Sequence, residues 1–302
     1  DIYGKVTLPI TNDGYTDENG KVNVNAVNVI VNDEIGLIPD AYVIHNEDGT
    51  INVTLPQDKS ISYANRITVT ILDSMANAIS NVTVTVMDNT EKSFTASTDE
   101  NGRIVVPPLS EDMTDREGKA VVNGYNILLS DEQKVIENAF VYIKDNKIYV
   151  KLPEGTAFDY NNRITATVTD KDNTPVKDMS VTFTDSTEKT ETNLTDENGR
   201  ATVPPVNIDY TDVNGYSEVD GYIVTVFNET GAIEKAFITH TEDNKITVEL
   251  PENVKFDYAN RITVTVLNKA DNTAVKDMEV IVYSRIISLF CNCYCNSVSK
   301  KG

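Results

Sequence analysis

Tryptophan is absent from this chain of 302 residues, histidine occurs twice, and the three cysteines are crowded together at Cys291, Cys293 and Cys295. Each scarcity excludes something. Without cysteine before residue 291, no disulfide framework holds the body of the protein. Two histidines leave few general bases and few nitrogen ligands for a transition metal. Cations are in the minority: 26 Lys and Arg against 47 Asp and Glu give a net charge of −21. A surface that negative repels phosphate backbones and anionic headgroups, so neither nucleic acid nor a membrane surface is an expected partner. No apolar run approaches the roughly 18 residues of a membrane-spanning helix, which speaks against membrane insertion. With 40% hydrophobic residues the chain still has the material for packed cores. It opens at Asp1 with no signal-peptide pattern, which reads as a processed product or a fragment. Leu8-Pro9-Ile10-Thr11-Asn12 partly matches a sortase signal, but ordinary sequence follows it and the match reads as chance.

What the chain has in abundance is repetition. Tyr63-Ala64-Asn65-Arg66-Ile67-Thr68-Val69-Thr70 returns as Tyr160-Asn161-Asn162-Arg163-Ile164-Thr165-Ala166-Thr167 and again from Tyr258 to Thr265. The period is 97 to 98 residues, and Thr98-Asp99-Glu100-Asn101-Gly102-Arg103 keeps the same step to Thr195–Arg200. The implied division is a partial repeat over 1–62, complete repeats over 63–159 and 160–257, a truncated repeat over 258–284, and an out-of-register tail over 285–302.

Within each repeat Ile or Val alternates with Thr, as from Ile67 to Ile71, Val82 to Val86, Val181 to Phe183 and Ile262 to Val266. Strand side chains point to opposite faces with period two, so the aliphatics take a core and the threonines take water. Asn19-Gly20, Asp48-Gly49, Asn101-Gly102 and Asn198-Gly199 predict hairpin turns with positive φ at both central positions. Pro107-Pro108 and Pro204-Pro205 end strands. Asp131–Ala139 alone tolerates a helix, but its repeat counterparts read as strand and turn, so sheet is expected there too. The fold class is therefore all-β, built of antiparallel sandwiches of about 100 residues. Each repeat is one sandwich of two similar halves or two very small sheets. One sandwich is preferred, because ~50 residues without disulfide or metal bury too little surface.

Arg163–Asp170, Thr174–Phe183 and Thr195–Pro204, read together, resemble a bacterial immunoglobulin-like repeat of the invasin and intimin type. Carboxypeptidase-regulatory and collagen-adhesin B-type modules share the outline. The resemblance implies tandem modules arranged as an elongated rod in an extracellular, cell-surface protein. Collagen-adhesin modules carry a Lys–Asn isopeptide bond; here the candidates Lys171 and Lys269 fall in turns and Ser74 replaces them in the first copy, so the bond is not expected.

Candidate chemistry is thin. His45 and His240 occupy equivalent places beside acidic residues, but the middle repeat lacks a counterpart, and one imidazole per repeat gives no nucleophile–base pair. Asn12-Asp13-Gly14, Asp99–Gly102 and Asp170–Asn173 bring calcium to mind, and a junction near Asp159-Tyr160 or Asp257-Tyr258 is where it would sit. No twelve-residue calcium loop is present, however, and Asp and Asn also serve the turns themselves. Cys291-Asn292-Cys293-Tyr294-Cys295 lies where acidic repeat sequence should continue, and it reads as out-of-register sequence rather than a metal site. The sequons at Asn52, Asn81, Asn193 and Asn228 follow from Asn and Thr richness. No catalytic residue, metal ligand or cofactor is expected, calcium at a junction being the one alternative. The recurring Tyr63, Tyr160 and Tyr258 are expected to brace junctions. The reading is a non-catalytic spacer whose partners are the neighbouring repeats; the alternative is an adhesin binding a host or cell-wall protein or glycan.

Overall fold

The computed structural model describes residues 12–255 and 257–284. Among them every regular element is a strand and none is a helix, so the chain is all-β. It divides into two compact units, one of Asp1–Ile127, Glu137–Val150 and Thr169–Thr174, the other of Leu128–Ile136, Lys151–Val168 and Pro175–Gly302. The first nine strands all lie in the first unit: β1 Asp13–Tyr15, β2 Lys21–Val24, β3 Val27–Asn32, β4 Tyr42–His45, β5 Ile51–Thr54, β6 Ile67–Leu72, β7 Thr83–Met87, β8 Ser93–Ser97 and β9 Arg103–Val106. They make two sheets, ordered β1-β4-β5-β7-β8 and β2-β3-β6-β9.

The alternation read from the sequence has its physical counterpart here. Ile67, Val69 and Ile71 of β6 are fully buried while the threonines between them are half-exposed. Both sheets feed one core, in which Val29, Val31 and Ile71 join Val43, Val53, Val84 and Val86. That cluster runs from Val24 to Val106, on both sides of Tyr63. The packed frame therefore starts near β1, half a period away from the Tyr63 marker by which the repeat is most easily seen.

The expectation of purely antiparallel sheets is corrected in the first set and again in the third. β5 pairs with β7 in parallel, Ile51 opposite Val84 and Val53 opposite Val86. Parallel neighbours need a crossover connection, and β6 in the other sheet provides it.

The strand pattern returns as β10 Glu111–Met113, β11 Lys119–Val122, β12 Tyr125–Ser130, β13 Phe140–Lys144, β14 Lys147–Lys151, β15 Ile164–Thr169, β16 Ser180–Thr184, β17 Thr190–Leu194 and β18 Arg200–Val203. In the first unit β10 lies antiparallel to β13, with Asp112 opposite Val141. In the second, β15 pairs with β18 and β16 with β17. The third set, all in the second unit, comprises β19 Ile208–Tyr210, β20 Tyr216–Val219, β21 Tyr222–Asn228, β22 Gly231–Ala232, β23 Phe237–Thr241, β24 Lys245–Leu250, β25 Thr263–Asn268 and β26 Glu279–Ser284. Its sheets are β19-β23-β24-β26, again with a parallel β24–β26 pair, and β20-β21-β22 with β25 on β21. Val224, Val226, Ile238, Ile246 and Val248 form its core. Outward threonines pair across strands at 2.9 Å, as in Thr85–Thr95, Thr182–Thr192 and Thr165–Thr202.

The corners differ from expectation. At Asn101-Gly102 only the glycine has positive φ, and the same holds at Asn19-Gly20, Asp48-Gly49 and Asn198-Gly199. In three of these corners, at Gly20, Gly102 and Gly199, the asparagine is free to stay at negative φ because an aspartate organises the turn. Asp99 Oδ1 accepts from the amides of Asn101 and Arg103, both at 2.9 Å, while Gly102 N–H closes onto the Asp99 carbonyl. Thr98, just before it, is buried and holds the incoming strand through its hydroxyl, which accepts from Val82 N–H and donates to the Ile79 carbonyl. This Thr-Asp-x-x-Gly corner occurs at Thr16, Thr98, Thr114, Thr195 and Thr211. Turns with two positive φ values do occur, at Asn25-Ala26, Asn123-Gly124, Asp145-Asn146 and Asp220-Gly221.

Asp131–Ala139 is likewise corrected. It is a loop touched by one isolated bridge, Ser130 to Val135, and Asp131 Oδ1 caps the amides of Gln133 and Lys134. The proline pairs do end β9 and β18, each through a cis peptide, Val106-Pro107 and Val203-Pro204.

Candidate functional site

The repeated Tyr-x-Asn-Arg marker builds the most elaborate polar site in the described residues. Arg66 stands at the entrance to β6, and its guanidinium reaches across to the strand that begins the next set. Nε donates to the Pro107 carbonyl at 3.2 Å, Nη1 to the Tyr63 carbonyl at 3.2 Å and Nη2 to the Glu111 carbonyl at 2.7 Å. Asp112 on β10 lies 3.4 Å from Nη2. Its carboxylate is fixed from its own side by the amides of Val121 at 2.7 Å and Met113 at 2.9 Å. Arg66 is only 8% exposed. A buried guanidinium is tolerated when its fork of donors is satisfied and a carboxylate is at hand, and that condition is met here. Tyr63 packs edge-on against Phe140 with centroids 6.0 Å apart, and its hydroxyl donates to Glu111 at 3.3 Å. Burial, then the Glu111 carboxylate, push the Tyr63 phenol up to about 12.

The second unit repeats the arrangement with substitutions. Arg163, 9% exposed, donates from Nη1 to the Tyr160 carbonyl and from Nη2 to the Ile208 carbonyl, both at 2.9 Å. Asp209 stands 3.9 Å away, accepting from Glu218 and Tyr210 amides. Here Nε is buried without a partner. Burial outweighs these bonds and the nearby arginine and raises the Asp209 carboxyl. Tyr160 meets Tyr210 edge-on at 5.3 Å, and Tyr210 leans on Phe237 at 4.9 Å. Tyr63 and Tyr160 thus each pack against a ring of the following strand set, whereas Tyr258 is 97% exposed.

The remaining candidates disperse. His240 Nδ1 lies 2.8 Å from Asp220 and its ring meets Tyr222 edge-on, while His45 Nδ1 is buried without a partner. An open depression bordered by Asp220, Tyr222, Asn268 and Lys269 lies nearby, and Lys269 is ion-paired to Glu218 rather than free. Asp159 and Asp257 spend their carboxylates on local amides, and no group of three or more His, Cys, Asp or Glu placed to hold a metal occurs among the described residues. Cys291, Cys293 and Cys295, and Leu8 to Thr11, lie outside the described residues. No described helix is long and apolar enough to cross a membrane.

Sequence reasoning missed Asp112 and Asp209. They are two acids among 47, and the signal that finds them is their constant distance from the marker arginine. Neither a family model, nor a curated protein, nor a solved structure matches the chain. The arrangement ties the marker arginine to the opening strand of the following set.

Proposed function

We propose that this chain is a non-catalytic spacer, made of tandem immunoglobulin-like β-sandwich modules of about 97 residues laid end to end as an elongated rod. In this reading, which the resemblance of the sequence to invasin-type repeats supports, it belongs to a bacterial cell-surface or secreted protein and projects another domain outward. The observation that supports the reading is the junction itself. A spacer must hold its length, and a buried arginine bonded to the carbonyls on both sides of a joint resists bending far better than a flexible linker.

The test replaces Cys291, Cys293 and Cys295 with serine and places spin labels at the exposed positions Asp48 and Glu117, on either side of the first joint. A narrow distance distribution is expected, broadening by several ångströms in Arg66→Met while the melting of the cores stays within a few degrees. An equally broad distribution in the unsubstituted protein would refute the spacer reading.

One observation favours the adhesin alternative. Tyr142 and Tyr149 stack at 4.8 Å in the middle set alone, where the first set has Ile44 and Asn52 and the third has Thr239 and Thr247. A spacer has no need of a copy-specific aromatic pair, while a ligand anchor does.

A further inference from the structure

We infer that the outward face of the β13–β14 hairpin binds a sugar carrying a single carboxylate, held by Lys144 and Lys147 and bordered by Tyr142 and Tyr149. The inference rests on the adhesin alternative and gives it a ligand; the spacer reading does not depend on it.

The lysines are the anomaly. β13 and β14 are joined by Asp145-Asn146, both at positive φ, a two-residue turn that sets Lys144 and Lys147 opposite one another across the hairpin. Val141 and Ile148 are buried, so by period two both lysines stand on the outward face with Tyr142 and Tyr149. Both are exposed, and neither ammonium group has a hydrogen-bond or ion-pair partner among the described residues; Asp145, in the turn itself, pairs with neither. Like charges directly opposite destabilise a sheet. The other sets avoid the conflict at the same corner. In the first, Asn46 and Thr50 are hydrogen-bonded at 2.8 Å. In the third, Thr241 faces Lys245, whose ammonium is neutralised by Asp243 at 2.6 Å and Glu279 at 3.6 Å. A local rule broken in one copy, with no compensation inside the chain, points to an anionic partner outside it.

The tyrosines set the rest of that partner's chemistry. Two residues along a strand span about 7 Å, so the lysine pair and the ring pair are separated by the reach of one sugar ring with its carboxylate. Tyr142 and Tyr149 lie parallel within 8° and pack on each other, which leaves no slot between them for a flat aromatic ligand. Both are half-exposed with hydroxyls that have no partner among the described residues, so they offer apolar ring surface and free hydroxyls to a hydroxyl-rich ligand. Glu111, opposite Tyr142 on β10, adds an acceptor. Phe140 continues the rings 5.7 Å from Tyr142, a surface along which a second, neutral sugar can lie. A polyanion fits poorly: a chain at −21 repels repeated negative charge at a distance, while one carboxylate meets the local lysine pair.

Titration of the full chain with sialyllactose, a lactose unit ended by one carboxylate-bearing sugar, tests this by ligand-observed NMR. Saturable binding is expected at ~1 mM or tighter, with lactose alone at least ~10-fold weaker. It should weaken as salt is added. Lys144→Gln with Lys147→Gln should weaken binding roughly 10-fold, and Tyr149→Thr, which copies Thr247 of the third set, roughly 5-fold. Lys144→Thr, which copies Thr241, should weaken binding yet raise the melting temperature, because it removes the opposed charges; a lysine kept for stability would do the reverse. No saturable binding of sialyllactose, equal binding of lactose, binding unmoved by the lysine changes, or heparin bound in its place would each overturn the inference. Should collagen, fibronectin or a neutral glycan be captured through Tyr142 and Tyr149 instead, the acidic sugar falls and the adhesin reading stands. Should nothing bind through these tyrosines, both fall.

Discussion

Asp33 shows how much one side chain organises. It is buried between β3 and the loop that follows, accepting from Lys59 Nζ at 2.7 Å, Asn65 Nδ2 at 3.0 Å and the amides of Ile35 and Gly36. Burial alone would raise its carboxyl; the four donors together reverse that and hold it down to about 2. A carboxyl held low in the folded state stabilises the fold above its unfolded pKa and loses that contribution as pH falls toward its folded value. The shift corresponds to ~2 kcal/mol. We expect Asp33→Asn to lower stability at neutral pH by that order and to converge with the parent near pH 2. Denaturant melts across pH check this, and parallel curves would show the donors contribute nothing. Asp209 has the opposite sign: with its carboxyl raised by burial, stability falls as pH rises through its pKa. None of this is legible from composition, because Asp33 and Asp209 look like any other acid until their donors and their burial are known.

Among elements, strands were far more legible than the links between them. The Ile–Thr alternation marks β6 and β16 because period two is imposed by the backbone itself. The parallel β5–β7 pair left no trace, since pairing partners are chosen by how sheets stack, not by local pattern. The Asn-Gly pairs mark the turns but not their geometry, because Asp99, two positions before Asn101, decides it. Gly102 is one place where that geometry is unforgiving. With φ at +70°, a Cβ would lie 2.4 Å from the Ile71 carbonyl oxygen. At Gly49, also at positive φ, a Cβ would meet nothing within 4 Å. We expect Gly49→Ala to cost about 1 kcal/mol from backbone strain alone, and Gly102→Ala clearly more because the strand carbonyl must also move. Equal losses in denaturant melts would show that the close approach is relaxed without cost.

For the molecule as a whole, the excess of negative charge works against every packed surface. At −21 the folded chain repels itself, and salt screens that repulsion within roughly 10 Å at 0.1 M. Added sodium chloride is therefore expected to raise the melting temperature; a fall would show that exposed ion pairs such as Lys177–Glu197 outweigh the repulsion. The period was legible at this scale, while the position of the cores along it was not, because the marker residues that repeat best belong to junctions. That placement bears on how the protein is made. The first core needs β9, so it cannot close on a growing chain until Val106 has been added. The Arg66 contact at Glu111 and the Arg163 contact at Ile208 each span 45 residues of chain, and each reaches the opening strand of the following set. At a synthesis rate of about 5–20 residues per second, a finished set thus captures the first strand of its successor while the rest is still being translated. Assembly becomes vectorial, with each completed core acting as a template that limits cross-pairing between near-identical neighbours on the ribosome.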